Sequence, residues 1–304
     1  MFVEGDVCGV PVALLDERAD DSRTATLLLE IVVVRADRGR LRHGDRDNGM
    51  MEHPMALVRR RAPAFLLFAL TLLVWQLAGP VLRIREYLLP GPVAVMRAAL
   101  NFTIPWHQHL WTTTLEILGG FAVAGAAGVA LGVAIAWSTT LAHALVPFLV
   151  VVNTLPKVAV APLFLLWLGY GLVPNILIAA LVGFFPVVIN TAVGLTQIDE
   201  ELLDLGRVFG APKWKVFLKI RLPNALPYVL SALKITATAA VVGAIVGEFV
   251  ASQAGLGMVI VNAQTNLNTP VAFAALVWIS IVGLALYGVV GLVARWCAPW
   301  ADTT

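Results

Sequence analysis

The chain has 304 residues, 59% of them hydrophobic and 13% charged, with a mean hydropathy of +0.85. That balance excludes an ordinary soluble globular domain and describes a polytopic membrane protein. A formal net charge of +2 gives no case for nucleic-acid binding, and Cys8 and Cys297, the only cysteines, make neither a disulfide framework nor a metal pattern.

Residues 1–58 read as a soluble, poorly structured tail. The first 50 residues hold 7 of the 21 Lys and Arg and 10 of the 19 Asp and Glu. Their one apolar run, residues 27–34, is split by Glu30, is too short to span and follows an acidic stretch, the wrong flank for a signal peptide. A start at Met50, Met51 or Met55, which makes the tail an over-extended reading frame, is equally open.

The membrane domain is expected over residues 59–295, with a short tail at 296–304. Arg59, Arg60 and Arg61 precede a first apolar span at 62–82, long enough for a hydrocarbon core of about 30 Å. Residues 83–114 are mixed, with an amphipathic piece at 93–100 and interface anchors at Trp106 and Trp111. Span two, 115–137, is rich in small residues four apart, the pattern of a helix that packs closely on others. Span three, 142–168, carries Pro147, Pro156 and Pro162 and should be kinked or broken. Spans four to six follow at 174–195, 226–250 and 271–294.

Between spans four and five lies the most charged segment of the last 250 residues, 199–223. Asp199, Glu200 and Glu201 suit the positive end of a helix, and Leu202, Leu205 and Phe209 recur at helical spacing. Gly210 and Pro212 break the pattern, since Gly accepts a left-handed helix end and Pro fits the first turn of the next helix. A second short helix carries Trp214, Phe217 and Leu218 on one stripe and Lys213, Lys215, Lys219 and Arg221 as a basic set, and is expected to stop at Leu222-Pro223. Nine positive residues (Arg59–Arg61, Arg295 and five in this helix-turn-helix) fall on one side of a six-span topology, against Arg83, Arg85 and Arg97 on the other. By the positive-inside rule the loop and both termini are cytoplasmic.

Chemistry has few footholds. No lysine follows a glycine, so there is no Walker A loop and ATP hydrolysis has to come from another chain. The five histidines form no zinc-protease motif, and His107 and His109 read as interfacial polar residues beside Trp106 or as a metal-sharing pair. Ionisable or polar residues within spans are functional candidates by default. Lys157, with Asn153, sits in the irregular proline-rich stretch and is a candidate to line a pathway or, equally, to make a structural salt bridge or snorkel, and Asn190 is a further pathway candidate. Glu248 is a candidate for the pathway or for capping the outer end of span five, while Glu116 and Lys234 are placed to reach an interface. Residues 253–257, QAGLG, read as a tight outer turn.

The 199–223 loop resembles the cytoplasmic "EAA" loop of permease subunits in binding-protein-dependent ABC importers: EAA, three residues, G, nine residues, I, one residue, LP. Asp204, Leu205 and Gly206 occupy the EAA positions, Gly210 the glycine, Ile220 the isoleucine, and Leu222 and Pro223 the final pair, with every interval kept. The departures are Asp for Glu and Leu-Gly for Ala-Ala, the glycine loosening the helix by about 1 kcal/mol. Residues 89–295 further resemble the nitrate, sulfonate, taurine and pyrimidine-precursor branch of these permeases, in PGPVAV, LPKVAVAPLFLLWLGYG, FFPVVINTAVGL and GEFVASQAGLG.

The resemblance implies an all-α, type I importer permease in the bacterial inner membrane, acting as a homodimer. It implies a cytoplasmic ATPase partner that holds the ATP-Mg, this chain needing no cofactor, and a periplasmic or lipid-anchored solute-binding protein. An ion-coupled secondary transporter is the rival reading. It predicts inverted repeats, which the sequence does not show.

Overall fold

The computed structural model describes residues 54–208 and 212–299, and every described element is helical. Of the expected tail over 1–58, residues 1–53 lie outside the described residues, as does the pivot Gly210, while residues 54–58 are helical and open the first helix. The chain divides into two units, 1–69 and 70–304. The elements are α1 (Pro54–Val81), α2 (Pro92–Ala99), α3 (Trp106–Trp137), α4 (Thr139–Thr154), α5 (Lys157–Leu168), α6 (Leu172–Thr196), α7 (Glu200–Val208), α8 (Lys213–Val216), α9 (Leu222–Ala251), α10 (Leu256–Thr265) and α11 (Thr269–Cys297).

Four helical stretches among the described residues are long and apolar enough to cross a membrane: Trp106–Trp137, Leu172–Thr196, Lys213–Val250 and Thr269–Cys297. The expected third span is indeed broken, because Pro156 stops α4 and α5 leaves at 94° to it, so the bent pair makes at most a fifth. The expected first span appears as α1, whose described apolar part is Phe65–Val81. The count of six is therefore an expectation that the helix lengths alone do not reach.

The centre of unit two is α6, held between α3 and α9. Lipid tails are as apolar as leucine, so helices in a bilayer associate through close van der Waals packing and hydrogen bonds. The stripe Gly120, Ala124, Gly128 and Gly132 supplies that on α3. A Cβ at Gly128 would stand 2.6 Å from Val187 Cβ, and one at Gly132 2.6 Å from Thr191 Cβ. The same stripe of α6 also meets α9: a Cβ at Gly183 would meet Thr236 Cγ2 at 2.7 Å, and one at Gly243 of α9 would meet Ala179 Cα at 2.6 Å. Thr236 Oγ1 uses this approach to donate to the Gly183 carbonyl at 3.0 Å. Ile117, Ala179, Ala240 and Leu286 then close a buried cluster that brings in α11.

A second cluster, built on Val95, Trp106, Ile260, Ala275 and Ile279, packs α2 and α10 against α3 and α11. Large residues on the remaining faces, among them Leu166, Trp167 and Leu284, are exposed, as a lipid-facing surface requires. One expectation needs correcting. The helix beginning at Lys213 does not stop at Leu222-Pro223 but continues as one span to Val250. A single wide turn over Phe217–Arg221, hydrogen-bonded at i to i+5, precedes Pro223, and Pro223 occupies the first turn of α9, where its missing N–H and fixed φ are tolerated.

The close approach sets a test. Gly128→Ala and Gly243→Ala force neighbours apart and are expected to cost about 1–3 kcal/mol, read as a lowered thermal midpoint of the purified protein in lipid. Gly288→Ala, where nothing lies within 4 Å of the added carbon, is expected to show no loss. Equal behaviour of all three variants contradicts the packing account.

Candidate functional site

Three groups of candidate residues occupy three places along the bundle. The first is the charged loop. α7 opens with Glu200 and Glu201 as expected from the helix dipole. Within the motif, Asp204, Leu205 and Gly206 lie on α7, Ile220 lies in the wide turn, and Leu222 and Pro223 start α9. Leu202, Trp214 and Leu218 are exposed. The loop is rooted by residues that the motif does not contain. Asn224 Nδ2 donates to the carbonyls of Gly194 at 2.9 Å and Gln197 at 2.8 Å, and Arg221 Nη1 donates to Leu195 O at 3.4 Å. These bonds tie the end of α6 to the start of α9. Gly194 permits the contact, since a Cβ there would lie 2.8 Å from Ala225 Cα. Phe217 adds an edge-on contact to Trp137 at the end of α3, 5.4 Å between centroids.

The second place is the break between α4 and α5. Lys157 opens α5, its Nζ donating to Asn153 Oδ1 at 3.0 Å and standing 4.9 Å from the Phe185 ring centroid on α6. Asn153 is exposed and Lys157 is half-buried, and these two pathway candidates are in contact. Asn190 does not join them. Its Nδ2 donates to the Pro186 carbonyl at 2.8 Å, within its own helix.

The third place is a buried polar network at the other end of α9. Glu248 is 2% exposed, and its Oε1 accepts from Thr113 Oγ1 at 2.6 Å while its Oε2 accepts from the Gly257 N–H. Thr113 in turn accepts from the Leu256 N–H at 2.8 Å. Gly255, at φ 117°, turns the chain here, and a Cβ at that position would collide with the Glu248 carboxylate. Glu248 therefore caps α10 through the 252–257 turn. Glu116 belongs to the same network, which corrects its expected reach to an interface: it is 1% exposed, and its Oε1 accepts from Asn175 Nδ2 at 2.8 Å. The reason is the start of α3. Helix begins at Trp106, nine residues before the expected span, so Glu116 lies three turns inside it. His109 Nδ1 accepts from the Gly255 N–H at 3.2 Å, and its ring lines an open cavity of about 260 Å³ with Asn262, Asn266 and Asn268. Among the described residues, no group of three or more His, Cys, Asp or Glu could hold a metal.

Residues 128–302 match the family described as "binding-protein-dependent transport system inner membrane component". The chain belongs to this family. Among curated relatives it is 36% identical to the riboflavin transport system permease protein RibX of Chloroflexus aurantiacus, covering 76% of this chain and 87% of that one. It is 29% identical to the formylaminopyrimidine transport permease protein ThiX of Halalkalibacterium halodurans, covering 77% and 94%. Among solved structures, an inward-facing MetNI methionine ABC transporter chain aligns with a TM-score of 0.55 at 20% identity, covering 65% of this chain and 99% of that one, a likeness of fold. The chain is thus a multi-pass membrane permease of the ABC importer class, and not an enzyme.

The network makes a paired prediction. Thr113→Val leaves Glu248 Oε1 and the Leu256 N–H without partners, at about 1–3 kcal/mol for each buried group. Thr191 Oγ1 is buried with no partner, so the near-isosteric Thr191→Val is expected to be neutral or stabilising. Thermal unfolding in lipid compares the two; a loss confined to Thr191→Val contradicts the network.

Proposed function

We propose that this chain forms, with a second copy of itself, the solute pathway of an ABC importer, and that residues 199–223 couple the pathway to a cytoplasmic ATPase. In this reading α1 and the bent α4–α5 pair complete six spans in the bacterial inner membrane, with both termini and the loop on the cytoplasmic side. The observation that carries it is the EAA-type spacing over 204–223 in a chain of this family. Support comes also from the root of that loop, where Asn224, Arg221 and Gly194 join it to α6, the helix gripped by both α3 and α9. A push on the loop is thereby delivered to the centre of the bundle. A binding protein on the opposite face supplies the solute, and the ATPase holds the ATP-Mg.

For the solute we favour a nitrogen heterocycle of the riboflavin or pyrimidine-precursor kind over nitrate, a sulfonate or taurine. The support is the two relatives above, whose names carry riboflavin and formylaminopyrimidine. In the pathway itself, Lys157 with Asn153 offers polar contacts at the helix break, and Glu248 sets the turn at the outer end. Asn190 is spent on its own backbone and contributes shape.

Gly210→Glu tests the coupling. The left-handed helix end expected at Gly210 from its sequence puts the cost of a Cβ there at about 1–2 kcal/mol, and a charge seated in an ATPase groove adds desolvation. The variant is expected to insert normally, bind the ATPase weakly and give no ATP-dependent uptake in proteoliposomes. Undiminished ATPase binding with solute-stimulated hydrolysis contradicts the assignment. Lys157→Ala is expected to reduce uptake with ATPase assembly unchanged; normal uptake removes Lys157 from the pathway.

A further inference from the structure

The buried carboxylates Glu116 and Glu248 face each other from α3 and α9, and their oxygens can be accounted for one by one. Glu248 Oε1 accepts from Thr113 Oγ1 at 2.6 Å, and Glu248 Oε2 accepts from the Gly257 N–H. Glu116 Oε1 accepts from Asn175 Nδ2 at 2.8 Å. Among the described residues the fourth oxygen, Glu116 Oε2, receives no donor, and Asn175, itself 1% exposed and aimed into the pair, has its own Oδ1 unpartnered. Thr113 and Glu116 are three residues apart on one face of α3, which brings the two carboxyl groups into direct contact.

Two charged carboxylates in contact and out of water, with no cation against them, are not a stable arrangement. One proton resolves it: Glu116 Oε2 becomes the donor that the fourth position lacks, and Glu248 keeps the charge that its Thr113 and Gly257 donors favour. Among the described residues, the groups packed around the pair supply no alternative counter-charge. α6 contributes Asn175 and no ionisable residue, α10 has none, and the first half of α11 has none. On α3 the next titratable groups are His109, two turns away, and His107 beside it. With its Nδ1 accepting from Gly255, His109 is a neutral ring here.

We propose that Glu116 and Glu248 form a proton-binding site, in which one proton on Glu116 Oε2 bridges the two carboxylates and fastens the 252–257 turn, and with it α10, to α3 and α6. The site deepens the permease reading, because α10 and its cavity sit at the end of the bundle opposite the ATPase loop. The sign follows from the geometry. With the proton bound the pair is a hydrogen bond; at alkaline pH its loss leaves two adjacent negative charges, which part and release the turn. His109 acts in the other direction, since protonating Nδ1 at acid pH removes the acceptor of the Gly255 N–H.

Infrared spectroscopy of the purified full chain in lipid tests the site without ATPase or solute, so its failure is separable from failure of the permease reading. At neutral pH the wild type is expected to show a protonated-carboxyl C=O band that titrates away as pH rises, together with a falling thermal midpoint. Glu116→Gln supplies an amide donor in place of the proton, so it is expected to lose the band and to keep a midpoint flat over that alkaline range. Glu248→Gln, which sets an amide against the Gly257 N–H or the Thr113 hydroxyl, is expected to lose the alkaline fall from a lower midpoint at every pH. The wild-type titration and either variant suffice if the other does not fold. Absence of the band in the wild type, its survival in both variants, or the same alkaline fall in a folded variant as in the wild type overturns the proposal.

Discussion

The constraint on which the rest of this structure depends is that a bilayer gives its helices no hydrophobic reason to touch. Contact has to come from close approach and from hydrogen bonds, and both require the right residues at the right places. On α3, α6 and α9 the small residues supply the approach: Gly128 against Val187, Gly183 against Thr236, Gly243 against Ala179. Once the backbones are that near, few side chains remain to be fitted, and α6 becomes the fixed centre of unit two. The exposed leucines, valines and tryptophans elsewhere face a solvent of their own kind and decide little about which helix meets which.

The polar groups then divide between the two ends of this grip. At one end Asn224 and Arg221 pair with carbonyls at the end of α6, where a helix leaves its last acceptors unpaired. At the other, Glu116, Glu248, Thr113 and Asn175 knit α3, α6, α9 and the 252–257 turn together. The second end is buried, so every donor there matters, whereas the first is part-buried to exposed. A closely packed centre thus carries a polar joint at each end.

Much of this was legible in the sequence, for reasons that can be named. The glycine and alanine spacing of span two announces a tightly packed helix, Pro156 announces the break, and Gly255 announces the turn. The motif spacing over 204–223 announces the loop. What could not be read was pairing: nothing in the α3 stripe says that α6 is its partner. The start of α3 was hidden because residues 106–114, with two histidines, a glutamine and three threonines, look like an outer connection although they are helical. That misplacement sent Glu116 to the interface, and Asn175, a lone amide near the start of α6, gave no sign of its role. Pro223 misled in the opposite sense, since proline reads as a stop unless the wide turn before it is known. The number of spans is the remaining difference: hydropathy counts six, whereas the described helices supply four long ones, a bent pair and the shorter apolar part of α1.

The central claim is that the Lys213–Val250 helix crosses the membrane and carries the ATPase loop and the Glu248 joint on opposite faces. Cysteine accessibility measures this most directly. In a chain with Cys8 and Cys297 replaced by serine, single cysteines at Lys219 and Asn262, both exposed, are treated in intact cells with a membrane-impermeant thiol reagent. The account predicts that the Asn262→Cys chain is labelled from outside, and that the Lys219→Cys chain is labelled only after the inner face is opened. Labelling of both from the same side contradicts it.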